Sequence, residues 1–187
     1  MAVRRGNDDV THWVLQPTAA RQLQVPFLVA GATTVGSQLA SALAMGACGV
    51  EVGTAFMATK ESPMHQNVKE RIASPLVDER SSIVLLRSMN NTGRFYRNDV
   101  TEQVAAREEE TPGDFSAISD LMAGDRNRES WREGNPDNSA WTMGMSAGMI
   151  TDVVSCQEFI DQLIADAEDI ITKQLQTFVV EKARASL

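Results

Sequence analysis

The sequence predicts an α/β fold, in which a strand–helix–strand unit near the N-terminus is followed by a mostly helical C-terminal extension. Three observations point to it. Residues 25–29 are a short continuous apolar run, the pattern of a strand buried on both faces of a parallel sheet, and residues 48–52 read as a second buried strand. Between them Val35, Leu39, Ala42, Leu43 and Ala44 recur at helical spacing, with Gly46 where a helix stop belongs. Beyond Phe56 the periodicity becomes helical.

Residues 12–23 predict a helix interrupted or bent near Pro17. The strand over 25–29 breaks at Gly31, a helix covers about 35–45, and the second strand ends at Gly53 and Thr54. Such a crossover is right-handed with parallel strands. Ser62 followed by Pro63 predicts a helix start, with Met64, Val68 and Ile72 on one face. Residues 81–86 fit a short strand or extended segment, and Asp99 with Glu102 fits a capping pair for a helix to about Glu110. After a polar break over 108–114, the next helix is expected to end near Gly124, and residues 125–140 to form a polar surface excursion. Ser155 and Glu158 form a capping box for the last helix, whose stripe is Phe159, Ile160, Leu163, Ile164, Ala167, Ile170, Ile171 and Leu175. The expected division is residues 1–60, carrying the strands and their loops, and residues 61–187, the extension.

Composition narrows the class. The chain has 187 residues, 43% of them hydrophobic and 22% charged, enough for one domain with a core and unlike a disordered chain. No apolar run reaches the roughly 18 residues of a bilayer span. Two cysteines, Cys48 and Cys156, make no disulfide scaffold, and the start MAVRRGNDDV lacks an apolar stretch, so the expectation is a cytoplasmic protein. Twenty-five acidic against seventeen basic residues, a net charge of -8, argue against a nucleic-acid face. His12 and His65 stand far apart with no ligand pattern around them, which argues against zinc and leaves no expected metal site.

The chemistry is expected in two loops. Ala30, Gly31, Ala32 and Thr33 follow the first strand, and Gly53 and Thr54 follow the second. Small residues there let backbone N–H groups approach an anion, and in eight-stranded βα barrels the loops after the last two strands often hold phosphate. Glycines that merely permit tight turns are the competing explanation. Cys48 reads as a small core residue, Asp8–Asp9 as a helix cap, and Cys156 as a thiol at a helix start. In Trp141–Ile150, core packing explains Met143, Met145 and Met149, whereas close approach to a flat ligand explains Gly144, Ser146 and Gly148.

These residues carry a resemblance. The run VAGATTVGSQLASALAMGACGVEVGTAFMATKES is similar to the end of the barrel in the nitronate monooxygenase family, formerly 2-nitropropane dioxygenases. The likeness extends to Trp141, Gly144, Ser146, Ala147, Gly148, Ile150 and Asp152, and around Arg87–Ser88 and Asn91–Thr92 it leans toward the NADH:quinone reductase-like branch. An IMP dehydrogenase-like barrel would share the two loops but not the 141–152 element.

The resemblance implies the C-terminal part of a TIM (β/α)8 barrel, its last βα units, with a helical extension packed on it. It implies an FMN-dependent oxidoreductase that oxidises alkyl nitronates with O2, with Ala30, Gly31, Ala32, Gly53 and Thr54 at the FMN phosphate and Gly144, Ser146 and Gly148 near the flavin. The alternatives are NADH:quinone reductase activity, or a catalytically incompetent fragment without the N-terminal half-barrel. Ala32 replaces a family glycine, and the family's catalytic histidine falls near Arg4, so no catalytic residue is expected here. The implied partners are a small-molecule substrate, nitronate or quinone, with NADH for the latter, and no nucleic acid or membrane. Self-association through exposed half-barrel edges is the further expectation.

Overall fold

The computed structural model describes residues 10–179. Arg4 and Asp8–Asp9 lie outside them. Helix α1, His12–Gln22, forms as expected and runs through Pro17 as one element, so of the expected interruption or bend the interruption does not occur. Strand β1, Leu28–Ala30, helix α2, Gly36–Ala44, and strand β2, Gly49–Glu51, form the predicted crossover, with parallel pairing of Leu28 to Gly49, Val29 to Val50 and Ala30 to Glu51. The first strand starts later than the apolar run because Pro26 has no N–H for a ladder. Gly46, at φ +97°, takes the left-handed position that closes α2.

Burial here departs from expectation. Val29, Ala42 and Ala47 form a small core, but Leu28 is 64% and Val25 65% exposed, and Cys48 is exposed rather than buried. The runs are written for a sheet with layers on both faces, and a two-stranded sheet supplies too few neighbours.

Helix α3, Thr54–Met57, follows β2, and helix α4 spans Gln66–Ile72. Ser62–Pro63 does not start α4. His65 caps it, its Nδ1 accepting the Asn67 N–H at 3.1 Å, while Met64, Val68 and Ile72 are buried as their spacing predicts. Strands β3, Ser82–Leu85, and β4, Gly93–Tyr96, then form an antiparallel hairpin; β3 takes the strand alternative expected for 81–86, whereas β4 is not among the expected elements. Helix α5, Asp99–Glu110, is capped by Asn98, which accepts the Thr101 N–H at 2.9 Å, one residue before the expected Asp99.

Residues 115–117 make only a single 3-10 turn, and the helix expected to end at Gly124 instead begins there: α6 spans Gly124–Glu133. The stretch read as a surface excursion is thus largely helical. Gly134, at φ +69°, closes it in the left-handed conformation beside His65. Past it, residues 141–143 run along β4: Tyr96 N–H donates to Trp141 O at 2.9 Å and Met143 N–H to Arg94 O at 3.2 Å. Helix α7, Cys156–Asp169, starts on the predicted capping box of Ser155 and Glu158. Its stripe is only partly covered. Leu163 and Ala167 are buried against α2, whereas Ile164, Ile171 and Leu175 are exposed.

Two larger cores lie in the later region. One joins Met64, Val68, Ile72, Tyr96, Trp141 and Met143, and the other Leu85, Phe95, Val100, Val104 and Ile118. Among the described residues no helix is long and apolar enough to cross a membrane.

Candidate functional site

The loops after β1 and β2 face each other across a cavity of about 220 Å³, whose lining includes Gly31, Ala32, Thr33, Gly53, Thr54, Gly144 and Ser146. Gly31 at φ +87° and Ala32 at φ +56° are both left-handed. For Gly31 this is free; for Ala32 it costs roughly 1–2 kcal/mol, since its Cβ crowds the following carbonyl. Gly53 differs. A Cβ built on it meets nothing within 4 Å, so the backbone is open toward the cavity.

Hydrogen bonds lock the third wall to the loops. Thr54 Oγ1 accepts the Gly144 N–H at 2.9 Å, and Thr34 Oγ1 donates to Ser146 Oγ at 2.8 Å with both groups buried. These bonds tie a 3-10 turn, Met145–Met149, to both loops. The helix-start donors are otherwise engaged: the Thr34 and Val35 N–H groups donate to Gln38 Oε1 at 2.7 and 3.1 Å. What remains for a ligand is the main chain of 31–33 and 53–54 with the hydroxyls of Thr33 and Thr54.

Ala30 ends β1 but does not line the cavity, nor does Gly148. A Cβ on Gly148 would come within 2.8 Å of Asp78 Cα, so packing against the 78–79 backbone accounts for that glycine. Sequence reasoning missed Glu51, which completes the lining. Its position as the last β2 residue, two before Gly53, was the available signal. The lining holds no cationic side chain, so any anion must be held by N–H and O–H donors and kept away from Glu51. Among the described residues, no group of three or more His, Cys, Asp or Glu side chains is placed to hold a metal.

The segment after α3 anchors α7. Cys156 N–H donates to Glu61 at 2.9 and 3.0 Å, Lys60 N–H donates to Val154 O at 2.8 Å, and Lys60 Nζ pairs with Glu158 at 3.2 Å. The Cys156 N–H holds the Glu61 carboxyl below its usual range. The Ser155 N–H and hydroxyl, with Lys60, pull Glu158 down to about 2. Cys156 Sγ lies 3.4 Å from Thr59 Oγ1, in a structural setting.

Comparison with known proteins adds the family. Residues 4–166 match the nitronate monooxygenase family. A Rhodococcus jostii protein named (3aS,4S,5R,7aS)-5-hydroxy-7a-methyl-1-oxo-octahydro-1H-indene-4-carboxyl-CoA dehydrogenase is 26% identical, over 82% of this chain and 53% of its own length. A probable nitronate monooxygenase of Staphylococcus saprophyticus is 25% identical, over 85% of this chain and 43% of its own. Among solved structures, FabK from Thermotoga maritima superposes with a TM-score of 0.82 at 25% identity, covering 92% of this chain and 53% of that one. A nitroalkane oxidase from Streptomyces ansochromogenes shares the fold, with a TM-score of 0.69 at 22% identity over 86% of this chain and 44% of that one. The chain spans about half the length of these curated relatives. With a family match over most of its length, the chain belongs to the nitronate monooxygenase family.

Proposed function

We propose that this chain carries the phosphate-binding part of an FMN-dependent oxidoreductase of the nitronate monooxygenase type, acting on a small molecule such as an alkyl nitronate. The observation that carries the reading is the cavity between the two loops, open at Gly53 and braced by Thr54 and Ser146. Its donors suit a phosphate, which main-chain N–H groups satisfy without a cationic side chain. At about 220 Å³ the cavity is smaller than the roughly 300 Å³ at which small-molecule sites begin, so it suits one end of a flavin nucleotide. Glu51 would accept hydrogen bonds from the ribityl hydroxyls and repel the phosphate, which sets the ligand's direction.

Flavin, when bound, supplies the redox chemistry. The chain's own residues do the rest: the 31–33 and 53–54 main chain fixes the phosphate, and the Thr34–Ser146 and Thr54–Gly144 bonds hold the turn at the cavity wall. A nitronate, already deprotonated, needs no general base for proton abstraction, unlike a neutral nitroalkane.

The test is a fluorescence titration of the chain with FMN and with riboflavin, which lacks the phosphate. FMN should bind weakly and riboflavin more weakly still. Gly53→Asp, which puts a negative side chain into open space beside the phosphate, should abolish the difference. Equal binding of both flavins, unaltered by Gly53→Asp, would refute the phosphate anchor.

A further inference from the structure

A second pocket lies on the far side of the bracing turn. Gly148 packs on the backbone of Asp78, and Asp78 lines a cavity of about 440 Å³ that shares no residue with the loop cavity. Three arginines converge on it, Arg71 from α4, Arg80 from the turn before β3, and Arg97 just after β4. Four carboxylates, Asp78, Asp137, Glu102 and Glu79, accompany them, so a ligand would be held by unused guanidinium donors rather than by net positive charge. We propose that this pocket binds a phosphorylated organic molecule, its phosphate held by Arg71, Arg80 and Arg97.

The guanidinium groups have donors in reserve. Both hydrogen bonds of Arg71, to Tyr96 Oη at 2.6 Å and Asp137 Oδ1 at 2.9 Å, run through Nη1. Arg97 uses Nε on Arg80 O at 3.1 Å and Nη1 on Glu102. Arg80 has Glu79 at 3.9 Å, beyond hydrogen-bonding distance, and its side chain is 87% exposed. Each guanidinium offers five N–H groups in a fork matched to phosphate, so these bonds leave donors on all three.

The opposing charges are accounted for. Asp137, Glu102 and Glu79 pair with the arginines without lining the cavity. Asp78 does line it, but its Oδ1 is engaged in its own turn, by Ser81 Oγ at 2.8 Å and the Arg80 N–H at 2.9 Å. The wall is also built to last. Arg71 lies over the Tyr96 ring, 5.9 Å from its centroid, and that ring stacks on Trp141 at 4.8 Å. Leu76, 88% exposed and lining the same cavity, gives the organic part of a ligand an apolar surface. A phosphate with an organic body therefore fits better than a bare anion.

This inference is independent of the flavin reading, and the test separates them. Inorganic pyrophosphate, ADP and adenosine are titrated into 15N-labelled chain carrying Gly53→Asp, which disables the loop cavity. Pyrophosphate and ADP should shift the Arg80, Ser81 and Arg97 amides, ADP with the higher affinity, and adenosine should not. Arg80→Glu, at an exposed side chain the fold does not need, should weaken ADP about tenfold or more, and raised salt should weaken it too. If adenosine binds as well as ADP, or if Arg80→Glu leaves ADP binding unchanged, the phosphate pocket is refuted. Pyrophosphate binding as tightly as ADP would refute the organic part of the proposal.

Discussion

The crossover unit and the hairpin region that follows it are packed to different standards. Around the hairpin, Val68, Ile72, Val104 and Ile118 are 0% exposed and Trp141 is 1% exposed. Around the crossover, Trp13 is 74%, Val25 65% and Leu28 64% exposed, and three residues make up the core. The two loops of the candidate site sit on the less buried unit, and its third wall, Gly144 and Ser146, comes from the better packed one. Apolar residues that a wider barrel would cover are written into β1 and α1, whereas the hairpin region closes its cores with its own residues. The well-packed region therefore braces a site whose loops belong to the less buried unit.

The largest effect that would sharpen this contrast is expected at Trp141, whose Nε1 donates to Pro136 O at 2.8 Å and whose ring stacks on Tyr96. Trp141→Ala should cost about 3–5 kcal/mol in urea denaturation, while Leu28→Ala stays within about 0.5 kcal/mol. Equal losses would erase the contrast. Leu28→Thr should also reduce self-association seen by light scattering, as an apolar strand exposed in the crossover unit implies.

Gly36 tests how the crossover is held. A Cβ there would come 2.5 Å from Ala167 N and 2.8 Å from Asp166 C, backbone atoms of α7 that cannot yield locally. Gly36→Ala should therefore cost about 1–3 kcal/mol by overpacking. A neutral result would mean that α7 is not docked on α2.

A smaller effect of opposite sign is expected at Ala32. Relief of its left-handed strain, roughly 1–2 kcal/mol, exceeds the roughly 0.4–1 kcal/mol of chain entropy that glycine adds to the unfolded state. Ala32→Gly should thus raise stability by about 0.5–1 kcal/mol in the same assay.

The cap of α7 responds to pH. Glu158 has its carboxyl lowered from 4.5 to about 2, so it favours the folded state above pH 4.5 and loses that contribution as the pH falls toward 2. Glu158→Gln should leave a melting-temperature gap to the native chain at neutral pH that narrows across this window. A constant gap would show that the charge plays no part in the cap.

Legibility in the sequence follows the range of the interactions. The Ser155–Glu158 box and the strand–helix–strand unit rest on bonds between near neighbours, and both were readable. The two loops were readable because Gly31 and Gly53–Thr54 directly follow apolar runs. Helix α6 was not: Trp131 is its only large apolar residue, so no apolar stripe marks it, and its reasons are tertiary, such as the buried Ser130 and the Arg126 Nε bond to Asn138 O at 2.7 Å. Strand β4 is four residues long and is defined by partners on both edges, β3 and residues 141–143. At the site, the Thr34–Ser146 bond spans 112 residues, a separation at which no local pattern speaks. Exposure of Val25 and Leu28 was hidden for another reason: a strand's composition records the sheet it is suited to, and says nothing of how many neighbours it has.

The central claim, that the two loops form a phosphate anchor, is tested most directly by titrating FMN into 15N-labelled chain and mapping amide shifts. The account predicts the largest shifts at Gly31, Ala32, Gly53 and Thr54, all lost in Gly53→Asp. Shifts confined to residues away from these loops, with Gly31 and Gly53 unmoved at saturation, would contradict it.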